Sequence, residues 1–569
     1  MQRRLYTSFL PIALLVAAVA SAQDTEGLDS QEGVFFETLE VNLINVEVFV
    51  TDKKGNPITG LTKDDFEIYE NRRPVTMTNF YAVEGGKRVG PWPGEPQEAA
   101  PSARRPAVPG VEEKPPIPEE QRLHLVVYID NFNIRPFNRN RVFRRLRGFL
   151  NDKLDSDDRV MLVSYDRSLH IRHQFTTDPQ LIASTLFELE KMTGHGVHAD
   201  SDRRDLLRDI EEAEEASDIE WRVRQYAESL FNDLSFSIDA LKEMITSLAG
   251  LPGRKAFLYV SDGLPMQPGE DLYHALSQKF QDSSVLTRAR DTNSGRRFRE
   301  LAAQASTSRV TFYAIDAAGL RVATTASAQY SSPNPRGAGI TTLVDSIHFS
   351  NIQSPLLLLA DLTGGRAIYN TNDVGPGLTK IASDFDSYYS LGYTPAHSGT
   401  GRYYQIAVKV KRKGLRVRHR KGYRDKPLAA KMEDGTRSTL MYGFERNPLQ
   451  VGLRFGRASR VEKNRYDVPF AVRIPLDKIV LVPREEFHEA RIKIYFGAMD
   501  EKGGFSPVRE LRLPITIPND EVEVAKKSGW VYRDQLRMRP GGHRVAVGVW
   551  DEIGATGSFV TKSLVVGGE

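Results

Sequence analysis

Two aspartates end apolar segments that are typical of buried strands, and their carboxylates are the first candidates for chemistry. Asp130 follows the run LHLVVYI, and Asp262 follows FLYVS. Carboxylates that meet at neighbouring strand ends supply the oxygen ligands that Mg²⁺ and other hard cations prefer. A divalent-cation site at Asp130 and Asp262, with Asn133 as a further oxygen donor, is therefore one hypothesis for this pattern. The alternative is that both carboxylates cap loops and helix N-termini.

A polar segment supplies a second candidate metal site. His195 and His198 form a His-x-x-His pair, and Asp200 and Asp202 follow it. Imidazole and carboxylate groups at such spacing can ligate zinc or nickel, which makes a metal-dependent hydrolase one hypothesis. The alternative is a solvated loop, because this spacing is frequent by chance in polar segments.

Composition and missing motifs exclude several classes of function. The 569 residues include no cysteine, which removes disulfide frameworks, thiol nucleophiles and Cys-ligated metals. The formal net charge of +3 gives no electrostatic reason to expect a nucleic acid partner. The sequence also lacks the G-x-S-x-G, G-x-x-x-x-G-K-[ST], H-E-x-x-H and G-x-G-x-x-G signatures. We therefore expect a protein that is not an enzyme.

The beginning of the chain has the layout of a secretory signal peptide. Residues 1–22 combine Arg3 and Arg4 with an apolar run and small residues at Ala20 and Ala22. The apolar run is shorter than the ~20 residues of a comfortable membrane span. We predict an exported, periplasmic or extracellular bacterial protein without a transmembrane segment after cleavage. An uncleaved N-terminal anchor is the alternative.

The elements that would position these residues belong to an α/β region. Residues 122–395 alternate apolar strands with helices, which predicts a doubly wound sheet that includes a last strand at YYSLGYTP. A charged segment at 194–232 predicts an exposed helical insertion. A Ser/Thr/Ala-rich segment at 321–350 predicts a long loop.

The flanking regions show shorter, alternating patterns. Residues 34–84 predict a small β-sandwich-like module, and residues 85–120 predict a proline-rich linker. Residues 401–424 predict a basic β-hairpin whose charges lie mainly on one solvated face. Residues 440–569 contain alternating segments split by Gly, Pro and Asp, which predict a C-terminal β-sandwich.

The α/β region resembles von Willebrand factor type A domains at its strand ends. Those domains bind a metal ion through an Asp-x-Ser-x-Ser loop, a Thr and an Asp-Gly motif. YVSDG matches the last element at Asp262, and VVYID matches the first aspartate at Asp130. Phe132 and Ile134 stand in place of the two serines, and the usual Gly-Thr pairing is absent at Thr193, which follows Met192. The resemblance implies a Rossmann-like sheet with a degenerate metal-ion-dependent adhesion site.

Longer stretches resemble one bacterial family, the von Willebrand factor A-related proteins of acidobacteria. They are VEVFVTDKKGNPITGLTKDDFEIYENRRPVTMTNF, VTFYAIDAAGL and YYSLGYTPAHSGTGRYYQIAVKVKRKGLRVRHRKGY. This resemblance implies an exported protein with a small β module, an A-type domain and a C-terminal tail. It leaves residues 440–569 outside.

Two binding hypotheses follow, beside the hydrolase. In the first, a non-catalytic adhesion or scaffold protein binds a protein ligand outside the cytoplasm and is not strictly metal-dependent. Phe132, Asn133 and Phe137 at the upper rim of the sheet are its candidate binding residues, although the two aromatic rings could instead fill space left by the ion. In the second, a cation-dependent adhesin holds Mg²⁺ or another divalent cation weakly at Asp130 and Asp262.

Overall fold

This computed structural model describes residues 43–89, 122–154, 157–193, 196–321 and 335–567, with the backbone alone at 196–200 and 335–341. The expected signal peptide, the first residues of the small β module and most of the expected proline-rich linker lie outside the described residues. Within the described ranges, no helix combines the length and the apolar character needed to cross a membrane.

Six strands form the central sheet of the α/β region. In spatial order they are β11 (Ala367–Ile368), β10 (Val310–Asp316), β9 (Arg254–Ser261), β6 (Leu123–Asp130), β7 (Arg159–Tyr165) and β8 (Leu169–Thr176). All neighbours pair in parallel except β7 and β8, which pair antiparallel. Every residue of β6, β9 and β10 is buried, as expected for interior strands of a covered parallel sheet. This confirms a mixed α/β architecture whose strand order reverses between β6 and β9.

Helices cover both faces of this sheet and enclose one apolar cluster on each. On the first face, Pro136 favours the first turn of its helix. Proline has no N–H, and an N–H at this position would have no acceptor within the helix. The helices are α1 (Pro136–Lys153), α2 (Pro179–Glu190) and α9 (Gly375–Asp386) on that face, and α4 (Ala216–Leu248), α7 (Gly295–Thr307) and α8 (Pro335–Thr363) on the other.

The charged insertion is helical, but one of its faces is buried. α3 (Gly196–Glu212) and the first half of α4 pack with α5 (Glu270–Phe280) and α6 (Val285–Ala289) around a separate apolar cluster. Ile219 and Val223, four residues apart on α4, are 3% and 0% exposed. The expectation of an exposed insertion is therefore wrong for this face, because the many charges mask a helical apolar spacing.

α8 continues through part of the segment that the sequence analysis assigns to a loop, which corrects that assignment for residues 335–350. Pro355 lies inside this helix and has no N–H for the carbonyl of Asn351. Met266 N donates to that carbonyl at 3.1 Å instead, and Leu264 N donates to the carbonyl of Ile352 at 3.1 Å. The loop that follows β9 is thereby fastened along α8.

Two antiparallel sheets form a β-sandwich from both ends of the α/β region and share one apolar cluster. The first sheet has the order β14 (Arg416–Arg418), β1 (Ile44–Thr51), β12 (Tyr388–Tyr393), β4 (Met77–Glu84) and β5 (Lys87–Val89). The second has the order β15 (Gly422–Arg424), β13 (Tyr403–Val410), β2 (Phe66–Glu70) and β3 (Arg73–Val75).

This arrangement corrects two expectations. β12 was expected in the central sheet, but it pairs antiparallel with β1 and β4. The stretch 401–424 was expected to be a hairpin, but β13 pairs with β2 and β15 while β14 pairs with β1. The sequence of a short buried strand does not show which sheet the strand joins. Its partner strands are decided by contacts between residues distant in the chain.

Part of the basic stretch also faces the protein interior, which corrects the expectation of a solvated face at those positions. Arg418 donates to the carbonyl of Gly364 at 2.9 Å and to Asp384 Oδ1 at 2.6 Å. Arg420 donates to the main-chain oxygens of Ser306 and Asn45, both at 2.7 Å. These arginines join the β-sandwich to the base of the α/β region.

The C-terminal region contains two antiparallel sheets around a shared apolar cluster. One sheet contains β16 (Gly452–Phe455), β17 (Ser459–Glu462), β18 (Arg465–Ile474) and β22 (Trp530–Met538). The other contains β19 (Val482–Pro483), β20 (Phe487–Asp500), β21 (Arg509–Pro518), β23 (Gly541–Asp551) and β24 (Thr556–Val566), and the short helix α11 (Val522–Ser528) follows β21.

A helix that the sequence analysis does not predict, α10 (Leu428–Tyr442), connects this region to the α/β region. Ser438 Oγ donates to the carbonyl of Ser247 at 2.7 Å and accepts from Gly250 N at 3.0 Å. A Cβ atom on Gly250 would lie 2.2 Å from the carbonyl oxygen of Asp434, so the close approach of α10 requires glycine there.

Candidate functional site

Asp130 lies at the carboxyl end of β6, and protein donors surround its buried carboxylate. The hydroxyl of Tyr259 donates to Oδ2, and Ser261 Oγ donates to the same oxygen at 3.3 Å. The main-chain N–H of Asn133 donates to Oδ1 at 3.1 Å. Burial raises the pKa of Asp130, and these hydrogen bonds oppose that increase.

The side chain of Asn133 completes this set of donors. Its Nδ2 atom lies 3.1 Å from Oδ1 and 3.0 Å from Oδ2 of Asp130, so the amide faces both carboxylate oxygens. The amide turns its nitrogen, rather than its oxygen, toward these two acceptor atoms. The main-chain oxygen of Asn133 accepts from Asp262 N at 3.0 Å. Asn133 therefore links the two strand-end aspartates.

A buried arginine holds the loop that carries Asn133. Arg139 on α1 donates to Asn131 Oδ1 at 2.5 Å and to the carbonyl of Met192 at 2.8 Å. Asn131 Nδ2 in turn donates to the carbonyl of Thr193 at 2.9 Å. Thr193 therefore reaches this site through its main chain, and the loop after β6 is fixed to the segment that follows α2.

Asp262 follows β9 and is only partly satisfied. Its Oδ2 accepts from Arg135 N at 3.0 Å and from Asn138 Nδ2 at 2.9 Å. Its Oδ1 is buried and has no hydrogen-bond partner within the described part of the chain. Burial raises the pKa of Asp262 to about 6, against the lowering effect of the two hydrogen bonds and of the charges of Arg135 and Arg321. Arg321 Nη2 also donates to the Asp262 carbonyl at 2.6 Å.

The structure thus brings Asp130, Asn133 and Asp262 together, as the sequence predicts, but the groups around them do not fit a divalent cation. N–H and O–H donors point at Asp130, whereas a cation requires oxygen lone pairs from every direction. The guanidinium of Arg321 adds positive charge beside Asp262. Among the residues that the structure describes, no group of three His, Asp or Glu side chains is arranged to hold a metal ion.

Three apolar residues that follow β6 in the chain differ in exposure. Ile134 is fully buried in the cluster beneath α1. Phe132 is half-buried, with its ring centroid 6.3 Å from that of Tyr165 and 5.2 Å from the guanidinium carbon of Arg167. Phe137 in the first turn of α1 is 74% exposed. Phe132 and Ile134 therefore fill space in the fold, and Phe137 projects from the rim.

The described atoms do not include the imidazole groups of the second candidate metal site. His195 lies outside the described residues, and His198 belongs to the part of α3 for which only the backbone is described. Asp202, farther along α3, is exposed. The hydrolase hypothesis stays a prediction.

Sequence reasoning missed four residues that shape the site. Tyr259 and Ser261 point to the same side of β9 because they are two residues apart, and this spacing was a usable signal. Asn138 and Arg321 gave no such signal. Asn138 reaches Asp262 from another element, and Arg321 reaches it from 59 positions along the chain, so only the tertiary structure reveals them.

No family model and no curated protein matches this chain. Among solved structures, it is similar to an aerotolerance-related membrane protein from Bacteroides fragilis, at 10% identity over 46% of this chain and 98% of that chain, with a TM-score of 0.24. BatB from Bacteroides thetaiotaomicron gives 11% identity over 46% and 96%, with a TM-score of 0.23. The manganese-loaded TRAP protein of Plasmodium vivax gives 10% identity over 64% and 91%, with a TM-score of 0.22. At TM-scores this low, the similarities carry no argument about fold or function, which rest on the topology and contacts described above.

Proposed function

We propose that this chain is an exported, non-catalytic scaffold that binds a protein outside the cytoplasm without requiring a bound cation. The binding surface is the rim at the carboxyl edge of the central sheet, in a von Willebrand factor A-type domain with a degenerate adhesion site. The strand order supports this placement, because open α/β sheets bind ligands beyond the strand ends where that order reverses.

The single observation that carries the proposal is the set of donors at Asp130. Asn133 and Tyr259 already satisfy this carboxylate with hydrogen bonds. A cation at Asp130 would have to displace them, and the buried amide would then lose its partner. The rim is therefore preformed by protein groups alone.

The rim also presents side chains suited to a protein interface. Phe137 is 74% exposed, and Leu320 after β10 is 58% exposed. Arg141, one helical turn after Phe137, donates to the carbonyl of Ala317 at 2.6 Å and so connects α1 with the loop that carries Leu320. Exposed aromatic anchors on a rigid support are typical of the residues that dominate binding energy in protein interfaces.

A capture experiment tests this proposal. The mature chain is immobilised and exposed to an envelope extract, in parallel with Mg²⁺ and with EDTA. We expect specific retention of a protein in both conditions, its loss with Phe137→Ser, and its persistence with Phe505→Ser, a matched change at an exposed phenylalanine of the C-terminal region. Retention that survives Phe137→Ser, or no specific retention at all, would contradict the proposal.

A melting experiment separates the proposal from the cation-dependent adhesin. Mg²⁺ and Mn²⁺ are titrated into the purified chain while the melting temperature is followed. A site filled at a hundred times its Kd would add about 2.7 kcal/mol to stability. We expect no cation-specific increase in melting temperature at millimolar concentrations, and a clear increase would favour the adhesin.

A further inference from the structure

A cavity lies apart from the Asp130 site, between α5 and α8. Its volume is about 530 Å³, within the range of small-ligand sites. Most of its lining is polar and includes Gln267, Glu270, His274, Ser346 and Ser350.

Hydrogen bonds within one wall make this cavity preformed. Asn351 Oδ1 accepts from Gln267 N at 2.8 Å, and Asn351 Nδ2 donates to the Gln267 carbonyl at 2.8 Å. Asn293 Nδ2 donates to Gln267 Oε1 at 3.0 Å. Pro355 leaves the carbonyl of Asn351 without its helical donor, and Met266 N donates to that carbonyl at 3.1 Å. Asn351 and Asn293 thus hold the main chain and the side-chain oxygen of Gln267, which gives this wall of the cavity its shape.

Two titratable side chains on α5 face the cavity without partners. Glu270 and His274 are one helical turn apart and both line it. Within the described residues, neither side chain makes a hydrogen bond or an ion pair. Burial raises the pKa of Glu270, and the neighbouring charge of Asp271 raises it further. A bound positive charge would remove this unfavourable situation.

The groups beneath the cavity are already paired. Asp271 and Asp345 share the guanidinium of Arg203, whose Nε and Nη2 lie 2.5 Å and 3.1 Å from them. His348 also contacts Asp271, at 3.4 Å, and burial lowers the pKa of this imidazole. Arg203 is therefore committed to two buried carboxylates and does not neutralise Glu270.

We infer that this cavity binds an organic cation, a primary ammonium or a guanidinium group, with Glu270 as its ion-pair partner. His274 and Ser350 accept further hydrogen bonds from the same head group. The carboxylate, imidazole and hydroxyl groups of the lining favour a polar head group, and two side chains are too few for a firmly held transition metal. This site does not depend on the rim proposed above.

Calorimetric titration of the full mature chain tests the inference. The probes are the methylamides of N-acetyl-lysine and N-acetyl-arginine, with that of N-acetyl-norleucine as an uncharged control and Zn²⁺ as a metal control. We expect saturable binding of at least one cationic probe, weakened by added salt, and no binding of the norleucine probe. The two cationic arms decide between ammonium and guanidinium.

Variants connect this binding to the cavity. Glu270→Gln keeps the size of the side chain and should lower the affinity at least tenfold. Glu300→Gln, at a half-exposed carboxylate on α7 paired with Arg296, should leave it unchanged. Phe137→Ser should also leave it unchanged, which separates this result from the fate of the rim. Absence of cationic binding, equal binding by Glu270→Gln, or binding of Zn²⁺ alone would overturn the inference.

Discussion

The side-chain amide of Asn133 donates to both carboxylate oxygens of Asp130, at 3.1 Å and 3.0 Å. The same residue accepts the amide N–H of Asp262 through its main-chain oxygen, at 3.0 Å. One neutral side chain therefore faces the first carboxylate at the point where the strand order reverses. Four predictions follow from this relationship and from the contacts that hold the three regions together.

Asn133→Ala should destabilise the α/β region by about 1–3 kcal/mol, because it removes donors from a buried carboxylate that water cannot reach. The matched control is Asn56→Ala, since Asn56 Nδ2 donates to Asp52 Oδ2 at 2.8 Å in an exposed pair. Urea denaturation followed by fluorescence compares the two variants. Equal losses of stability would show that the Asp130 interaction is not a buried one.

The ionisation of Asp262 should lower stability as pH rises. Its folded-state pKa is about 6, above the value near 3.9 of an unfolded chain. The native state therefore holds a proton that the unfolded state releases, and stability is greatest below pH ~4 and decreases through pH ~6. Full ionisation corresponds to about 2–3 kcal/mol.

Asp262→Asn checks this sign, because asparagine can still accept the hydrogen bonds from Arg135 N and Asn138 Nδ2. The melting temperature of the variant minus that of the parent chain should increase between pH 4 and pH 8. Other titrating groups contribute to both proteins and cancel in the difference. A difference that stays constant with pH would contradict the assigned pKa.

Glu47 on β1 should be essential for the attachment of the β-sandwich. Burial alone would raise the pKa of Glu47, but the charges of Arg254, Arg309 and Arg420 lower it overall, so the residue is ionised. Glu47→Gln removes the negative charge that balances these arginines. It should lower the free energy of unfolding by about 3–5 kcal/mol. Glu523→Gln, at an exposed ion pair with Lys526, should leave stability nearly unchanged, because solvent screens that pair.

Limited proteolysis with hydrogen exchange measures this effect region by region. We expect exchange in β1 and β12 to accelerate strongly in Glu47→Gln and to stay unchanged in the control. Unchanged protection in both variants would mean that the apolar cluster of the sandwich is sufficient without the ion pairs.

Gly250→Ala should loosen the C-terminal region from α4. The added Cβ would lie 2.2 Å from the Asp434 carbonyl, and overpacking of this kind costs about 1–3 kcal/mol. Gly148→Ala is the control, because a Cβ at that position in α1 has no atom within 4 Å and should stabilise the helix by about 0.5–1 kcal/mol. Opposite shifts in melting temperature are expected, and a stable Gly250→Ala would contradict the close packing of α10.

The sequence by itself determined that Asp130 and Asp262 end interior strands at the same edge of a covered sheet. Long buried runs must lie inside a covered sheet, and the carboxyl ends of parallel strands meet at one edge. The alternating segments after residue 440 likewise predict antiparallel sheets, because a period of two exposes one face of each strand.

Only the tertiary structure decided that β12 joins β1 and β4, that α10 docks on α4, and that Asn133 turns its amide toward Asp130. Strand partners and close helix contacts are chosen by residues far apart in the chain, so no local pattern contains them. The direction of one side-chain amide depends on which groups surround it after folding, and here those groups are acceptors.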